Sequence, residues 1–181
     1  GWKPGVVSRG YGRENATPVS VTPASSARDC GDEPLLIFQR TRCAIRVDSN
    51  RVDAAEFLIR QGCNLIIADD GLQHLRLQRD IEIELIDHER KYGNGLILPA
   101  GPLREYPREC DFKVSNGSLE DDLSTRHFGM QLIYGDAEKL DGSEYRDLSK
   151  FSEIKINAIA GIGNPESFFN ALMARGLNIN P

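Results

Sequence analysis

A chain of 181 residues can bury one full domain, or one domain and part of another. Its 40% hydrophobic and 27% charged content is that of an ordinary globular protein, which excludes a low-complexity or disordered chain. A net charge of −5 gives no basic field for nucleic acid, and no apolar run reaches the roughly 18–20 residues that cross a bilayer.

From its start the chain alternates strand-like and helix-like segments. Val6-Val7 and residues 19–21 are short β runs. Cys30, with Cys43, Cys63 and Cys110, forms no CxxC pair and no zinc-type spacing, so free thiols are expected. Asp32-Glu33-Pro34 reads as a helix start: an acidic N-cap candidate, acid in the first turn, and proline where a missing N–H does no harm. Leu35, Leu36 and Phe38 give that helix an apolar face. Residues 44–47 predict the next strand, and residues 53–61 a helix with Ala54, Ala55, Leu58 and Ile59 in helical spacing, closed by Gly62.

Residues 65–68 form a short, fully apolar run, the signature of a strand buried on both faces of a parallel sheet. Ile81, Ile83 and Leu85 alternate with Glu82 and Glu84, which predicts a strand nearer an edge. Residues 92–107 are rich in glycine and proline, yet Leu96, Ile97, Leu98 and Leu103 are too apolar for a floppy linker; an ordered loop is expected. Phe112 to Val114 is one more strand. Composition turns polar and acidic over 115–124, where a domain boundary is placed: 1–115 an N-terminal domain, 116–150 a β-rich connector, 151–181 the start of a C-terminal α/β domain. In that last part residues 156–160 predict a strand, and Pro165 to Arg175 a helix stopped by Gly176 with no strand after it. The alternation as a whole predicts an α/β fold. Gly1 in place of Met, and an end just past a helix, read as cuts in a longer protein.

Leu65-Ile66-Ile67-Ala68-Asp69-Asp70 has the pattern of a Walker B strand, whose rigid mount presents carboxylates to Mg²⁺ and nucleotide phosphates. A plain Asp-Asp-Gly turn would look the same, but Gln73 and His74 add an amide and an imidazole directly after it. Asp32-Glu33 could serve as a general base toward a substrate hydroxyl, or only as a cap that complements the helix dipole. Arg9, in the glycine-rich run Ser8-Arg9-Gly10-Tyr11-Gly12-Arg13, could hold a phosphate, or lie in a solvated turn. Arg104-Glu105 reads as a surface pair on local grounds. Gly161-Ile162-Gly163-Asn164-Pro165 lacks the glycine spacing of a dinucleotide loop and favours a helix entry, against a Rossmann-type oxidoreductase. No GxxxxGK(S/T) loop is present.

The order of these runs, above all Asp69-Asp70-Gly71-Leu72-Gln73-His74 and Leu98-Pro99-Ala100-Gly101-Pro102-Leu103-Arg104-Glu105, resembles the tetraacyldisaccharide 4′-kinase (lipid A 4′-kinase) family across nearly the whole chain. The resemblance implies a P-loop NTPase-like, mostly parallel sheet flanked by helices, and an enzyme dependent on ATP and Mg²⁺. Its reaction would phosphorylate the 4′-hydroxyl of a tetraacyldisaccharide 1-phosphate in lipid A synthesis, at the cytoplasmic face of the Gram-negative inner membrane. Carried over by motif, Asp32 would be the base, with Glu33 beside it; Asp69 and Asp70 would serve the metal. Arg9, Gln73, His74, Arg104 and Glu105 would line the substrate and phosphate cleft. The family's phosphate loop and membrane-associating helix would precede Gly1, and a histidine partner of the base would follow Pro181. The 181 residues alone would then be inactive. Partners would be ATP and the lipid precursor, with no nucleic acid and no obligate protein. The rival expectation is a non-catalytic α/β binding module whose acidic pairs are caps and turns.

Overall fold

Val6 and Val7, adjacent in sequence, point to opposite faces of the first sheet, and this alternation organises the N-terminal half. In the computed structural model, which describes residues 1–118, 121–162 and 164–180, β1 (Pro4–Ser8), β2 (Val19–Ser20), β3 (Ala44–Val47) and β4 (Leu65–Ala68) form one sheet. Its order is β2-β3-β1-β4; β1 runs parallel to β3 and β4, and β2 is antiparallel. The helices α1 (Ala27–Cys30), α2 (Asp32–Thr41) and α3 (Arg51–Arg60) connect these strands. On one face Val6, Val21, Cys30, Ile45 and Val47 pack with Leu35, Ile37 and Phe38 of α2. On the other, Val7 packs with Ala54, Ala55 and Leu58 of α3 and with Leu77. Each fully buried valine contributes about 1.5–3 kcal/mol. The result is a helix–sheet–helix sandwich, as parallel strands require.

Three local expectations are corrected here, and one element is added. Asp32 is the first residue inside α2; the cap is Gly31, at φ 94°. The helix predicted over 53–61 begins two residues earlier, at Arg51, with the Asn50 side chain accepting from the Val52 N–H as its cap. β4 is not buried on both faces: Leu65 is 40% and Ile67 49% exposed, because β4 lies at the sheet edge and only its Ile66–Ala68 side meets α3. Finally, α1 is an additional turn, in which Ser26 N–H and Oγ both donate to Asp29 Oδ2.

A second sheet follows, β5 (Ile83–Asp87), β6 (Phe112–Asn116) and β7 (His127–Met130), in that order, with β5 parallel to β6. The parallel strands of this first part are therefore divided between two hydrogen-bonded sheets. β5 is an edge strand as predicted, with Ile83 and Leu85 exposed and Glu84 turned toward Lys113 and Tyr92. The intervening glycine- and proline-rich loop is ordered by its own backbone. Leu98 N–H donates to Leu103 C=O (2.8 Å) and Leu103 N–H to Leu96 C=O (3.2 Å).

The chain divides into two units, Gly1–Gly129 and Met130–Pro181. The polar stretch 115–124 joins β6 to β7 inside the first. In the second unit β8 (Ala137–Glu138) and β9 (Tyr145–Arg146) form an antiparallel ribbon. β10 (Lys155–Asn157), α4 (Pro165–Ala174) and β11 (Asn178–Asn180) form a β-α-β unit with parallel strands. A strand thus does follow the helix, contrary to the sequence expectation; with one apolar residue in Asn178-Ile179-Asn180 it carries no readable period. Asn164 caps α4 through the Ser167 N–H, and Pro165 occupies its first turn, a helix entry as expected. Gly163 of that loop lies outside the described residues. A mostly apolar cavity of about 470 Å³, lined by residues such as Phe151, Phe168 and Leu172, opens in this unit.

Candidate active site

Parallel strands deliver their carboxyl ends to one edge of the sheet, where α/β folds bind ligands. Here β1 ends in Ser8, and β3 and β4 are followed directly by Asp48 and Asp69. Asp48 N–H donates to the Ser8 carbonyl and Asp69 N–H to the Val7 carbonyl, both at 3.0 Å, so the ladders extend past the strand ends. The buried Ser8 hydroxyl donates to Asp69 Oδ2 (3.2 Å) and accepts from Gly10 N–H (3.4 Å). Asp70 then turns with φ 50°, a conformation that aspartate tolerates better than most residues.

The loop after β1 is held against the start of α2 by a glycine pair. Gly10 has φ 67°, and a Cβ on it would fall 2.5 Å from the Cys30 carbonyl. Gly31, φ 94°, faces it, with a virtual Cβ 3.0 Å from Gly10 Cα. This close approach sets the first turn of α2, and with it Asp32 and Glu33, beside the strand ends. Asp32 Oδ1 accepts the Glu33 N–H at 3.0 Å. Although Glu33 is exposed overall, partial burial of its carboxyl raises its pKa, and the charges of Asp69, Asp70 and Asp32 raise it further. The two acid pairs, 37 positions apart as Asp32 and Asp69, thus share one electrostatic field.

Sequence reasoning missed Arg51. It is 6% exposed, its Nε has no partner, and its Nη1 reaches only the Ser49 carbonyl at 3.4 Å. Burial lowers its pKa, as does the charge of Arg9, while Asp69, Asp70 and Asp48 oppose that shift. A readable signal existed: a cation in the first turn of a helix opposes the helix dipole and needs another reason to be there.

The other predicted residues are placed less centrally. Arg9 is exposed and acts on Arg51 through charge. His74 is half-buried; its N–H donates to the Gly71 carbonyl (2.9 Å) and its Nδ1 is buried without a partner. The Gln73 and Arg104 side chains are exposed and make no hydrogen bond or ion pair among the described residues. Glu105 pairs with Arg108 at 3.5 Å, and Arg108 in turn donates to the Leu72 carbonyl at 2.9 Å. Asp32, Glu33, Asp69, Asp70, Arg9 and Arg51 are therefore linked by charge as the centre of the candidate site, and Glu105 is tied to the turn after Asp70 through Arg108.

Among the described residues no three His, Cys, Asp or Glu side chains gather as a metal cage. Magnesium does not need one: it binds through one or two carboxylates and takes waters and phosphates for the rest. The adjacent carboxylates Asp69 and Asp70 are a donor set that fits such a cation.

Parallel strands between α2 and α3, with acids following their carboxyl ends, define an α/β protein of the class that binds ligands at the strand ends. Comparison with known proteins narrows this class. The family model for tetraacyldisaccharide-1-P 4′-kinase matches residues 1–181, and the chain belongs to that family. Tetraacyldisaccharide 4′-kinases of Xylella fastidiosa (strain M23) and Stenotrophomonas maltophilia (strain R551-3) are 47% and 48% identical to it, over 190 and 191 residues. Each match covers 100% of this chain and 56% of the relative, so the chain spans about half the length of these curated relatives. A crystal structure of the "apo" form of LpxK from Aquifex aeolicus in complex with ATP shares the fold, with a TM-score of 0.74 at 23% identity. That likeness covers 98% of this chain and 60% of the other. No helix among the described residues is long and apolar enough to cross a membrane.

Proposed function

We propose that these 181 residues are part of an ATP-dependent kinase acting on the 4′-hydroxyl of a tetraacyldisaccharide 1-phosphate, the reaction for which the relatives are named. One observation carries the reading: the start of α2 and the end of β4 bring two acid pairs into one field at the sheet's carboxyl edge. A phosphoryl-transfer enzyme needs both, one carboxylate to take the hydroxyl proton and others to hold the nucleotide's cation.

In this reading Asp32 accepts the proton of the 4′-hydroxyl as its oxygen attacks the γ-phosphorus and ADP departs. The Asp32–Glu33 hydrogen bond fixes the carboxylate at the helix start, where the dipole favours its charge. Asp69 and Asp70 would hold Mg²⁺, which supplies charge neutralisation to the phosphates. Ser8 orients Asp69. Arg9 and Arg51 place positive charge beside the acids, where phosphate oxygens would lie, and Gln73, His74, Arg104 and Glu105 line the approach. The triphosphate cradle would belong to the full-length protein outside these residues, as the chain contains no GxxxxGK(S/T) segment. The acylated substrate would bring the enzyme to the cytoplasmic face of the inner membrane.

The test is phosphate transfer from labelled ATP to tetraacyldisaccharide 1-phosphate by the full-length protein with Mg²⁺. Asp32→Asn is expected to lower kcat by about 10²–10⁴-fold with little change in ATP binding. A full-length protein that transfers nothing, with Mg²⁺-independent or absent ATP affinity, would favour a non-catalytic binding module.

A further inference from the structure

Arg79, Glu82 and Arg108 form a cluster that the reaction scheme above leaves unused. Arg79 Nη1 donates to the Gly71 carbonyl (3.2 Å) and to the Leu72 carbonyl (2.9 Å). Arg108 Nη2 donates to the same Leu72 carbonyl, also at 2.9 Å. Both guanidinium groups then meet one carboxylate oxygen: Arg79 Nε lies 2.8 Å, and Arg108 Nη2 3.4 Å, from Glu82 Oε1. Arg79 and Glu82 are mostly buried, with side chains 18% and 20% exposed. Glu82 is itself pinned, its N–H donating to Asp111 Oδ2 at 2.8 Å and its carbonyl accepting the Phe112 N–H at 3.1 Å. From the far side, Arg108 Nη1 reaches Glu105 Oε2 at 3.5 Å.

Two arginines fill both lone pairs of one turn carbonyl, a place that water could equally serve. Partly buried ion pairs also add little net stability, because desolvation offsets most of the Coulombic gain. What such a network provides is a fixed register. Leu72 follows directly on Asp69-Asp70-Gly71; Asp69 is tied to β1, and beyond it the turn is held by the backbone bonds His74 N–H to Gly71 and Leu77 N–H to His74. Glu105 ends the 98–105 loop.

We propose that Arg79, Glu82 and Arg108 are positioning residues that lock the 69–73 turn to the 98–105 loop, so that the carboxylates of the first and Glu105 of the second address one nucleotide complex. This rests on the kinase reading for its purpose, but not for its mechanics. A guanidinium is suited to the role because its planar fork can grip a carbonyl and a carboxylate at once, which a lysine ammonium on a flexible stem does poorly.

The experiment compares full-length wild type with Arg108→Ala, Arg108→Lys and Glu82→Gln by hydrogen exchange without ligands and by steady-state kinetics. Arg108→Ala and Glu82→Gln are expected to speed exchange at the His74 and Leu77 amides about tenfold while leaving β1 and β3 protected. The Mg²⁺ concentration for half-maximal turnover should rise by about three- to tenfold, with KM for the lipid substrate unchanged. Arg108→Lys, which keeps charge and loses the fork, should recover less than half of either effect. Unchanged exchange at residues 71–77, or an equal loosening of the whole first unit, would overturn the proposal. A wild type without phosphate transfer would refute the kinase reading alone, because the exchange measurement still decides whether the lock exists.

Discussion

The Ser8 hydroxyl donates to Asp69 Oδ2 across 3.2 Å, joining the ends of β1 and β4 by a side-chain bond at the point where their parallel ladder runs out. Ser8 is 3% exposed and also accepts the Gly10 N–H, so it fixes the acid and the following loop at once. Ser8→Ala is expected to cost about 1–2 kcal/mol of stability, because it leaves the Gly10 N–H unsatisfied in a buried place. The Mg²⁺ requirement for turnover should rise in parallel. Calorimetry and a Mg²⁺ titration of the full-length protein check the two effects; an unchanged Mg²⁺ requirement would show that Asp69 is oriented without Ser8.

Gly10 and Gly12 both have positive φ, 67° and 77°, but only Gly10 is crowded. Gly12→Ala faces open space and should cost only the left-handed penalty of about 1–2 kcal/mol. Gly10→Ala carries that penalty and also drives a methyl into the Cys30 carbonyl and Val47. It should lower the urea midpoint at least twice as far as Gly12→Ala. Equal midpoints would mean that the loop does not need its close approach to α1 and Gly31.

Much of this was legible from the sequence where a short apolar run met a strong punctuator. Residues 44–47 and 65–68 are strands with the bounds their composition suggested, and Asp32-Glu33-Pro34 marks the α2 start to within one residue. Pairing was not legible. That β4 lies at an edge and leaves Ile67 half exposed depends on which strands join which sheet, a tertiary outcome on which Leu65-Ile66-Ile67-Ala68 is silent. β11 escaped because three residues carry no period. Arg51 is not legible because the apolar period starts the helix at Asp53, which leaves the arginine in the preceding loop, where the helix dipole does not bear on it. The acid motifs were readable as motifs, whereas their shared field needed the Gly10–Gly31 contact.

Glu33 offers a pH signature. Its carboxyl is raised by burial first and then by Asp69, Asp70 and Asp32. For an acid raised on folding, the unfolded chain ionises first as pH increases, so the folded state loses stability through the window from the ordinary glutamate value up to the raised one. Below that window both states are protonated and nothing is lost. Glu33→Gln should therefore raise Tm at pH 7 and leave it unchanged near pH 3. Millimolar Mg²⁺ should shrink the gain at pH 7 by relieving the same field. A Tm difference independent of pH would reject this origin.

Arg51 is the opposite case, a buried cation whose cost to the fold is visible in its unpartnered Nε and its lowered pKa. Its first-turn position in α3 adds an unfavourable dipole term of about 0.3–1 kcal/mol. Against these stand the charges of Asp48, Asp69 and Asp70, which favour it. Buried ion clusters of this kind are often replaceable by apolar side chains of similar volume with little loss of stability. Arg51→Met should accordingly leave Tm within about 2 °C of wild type, or raise it, while phosphate transfer by the full-length protein falls at least about tenfold. Stability and activity would then separate at one residue, as expected where a site keeps a costly charge for its ligand. A variant that loses Tm and activity together would make Arg51 a structural counter-ion to the three aspartates instead, and one that keeps both would remove it from the site.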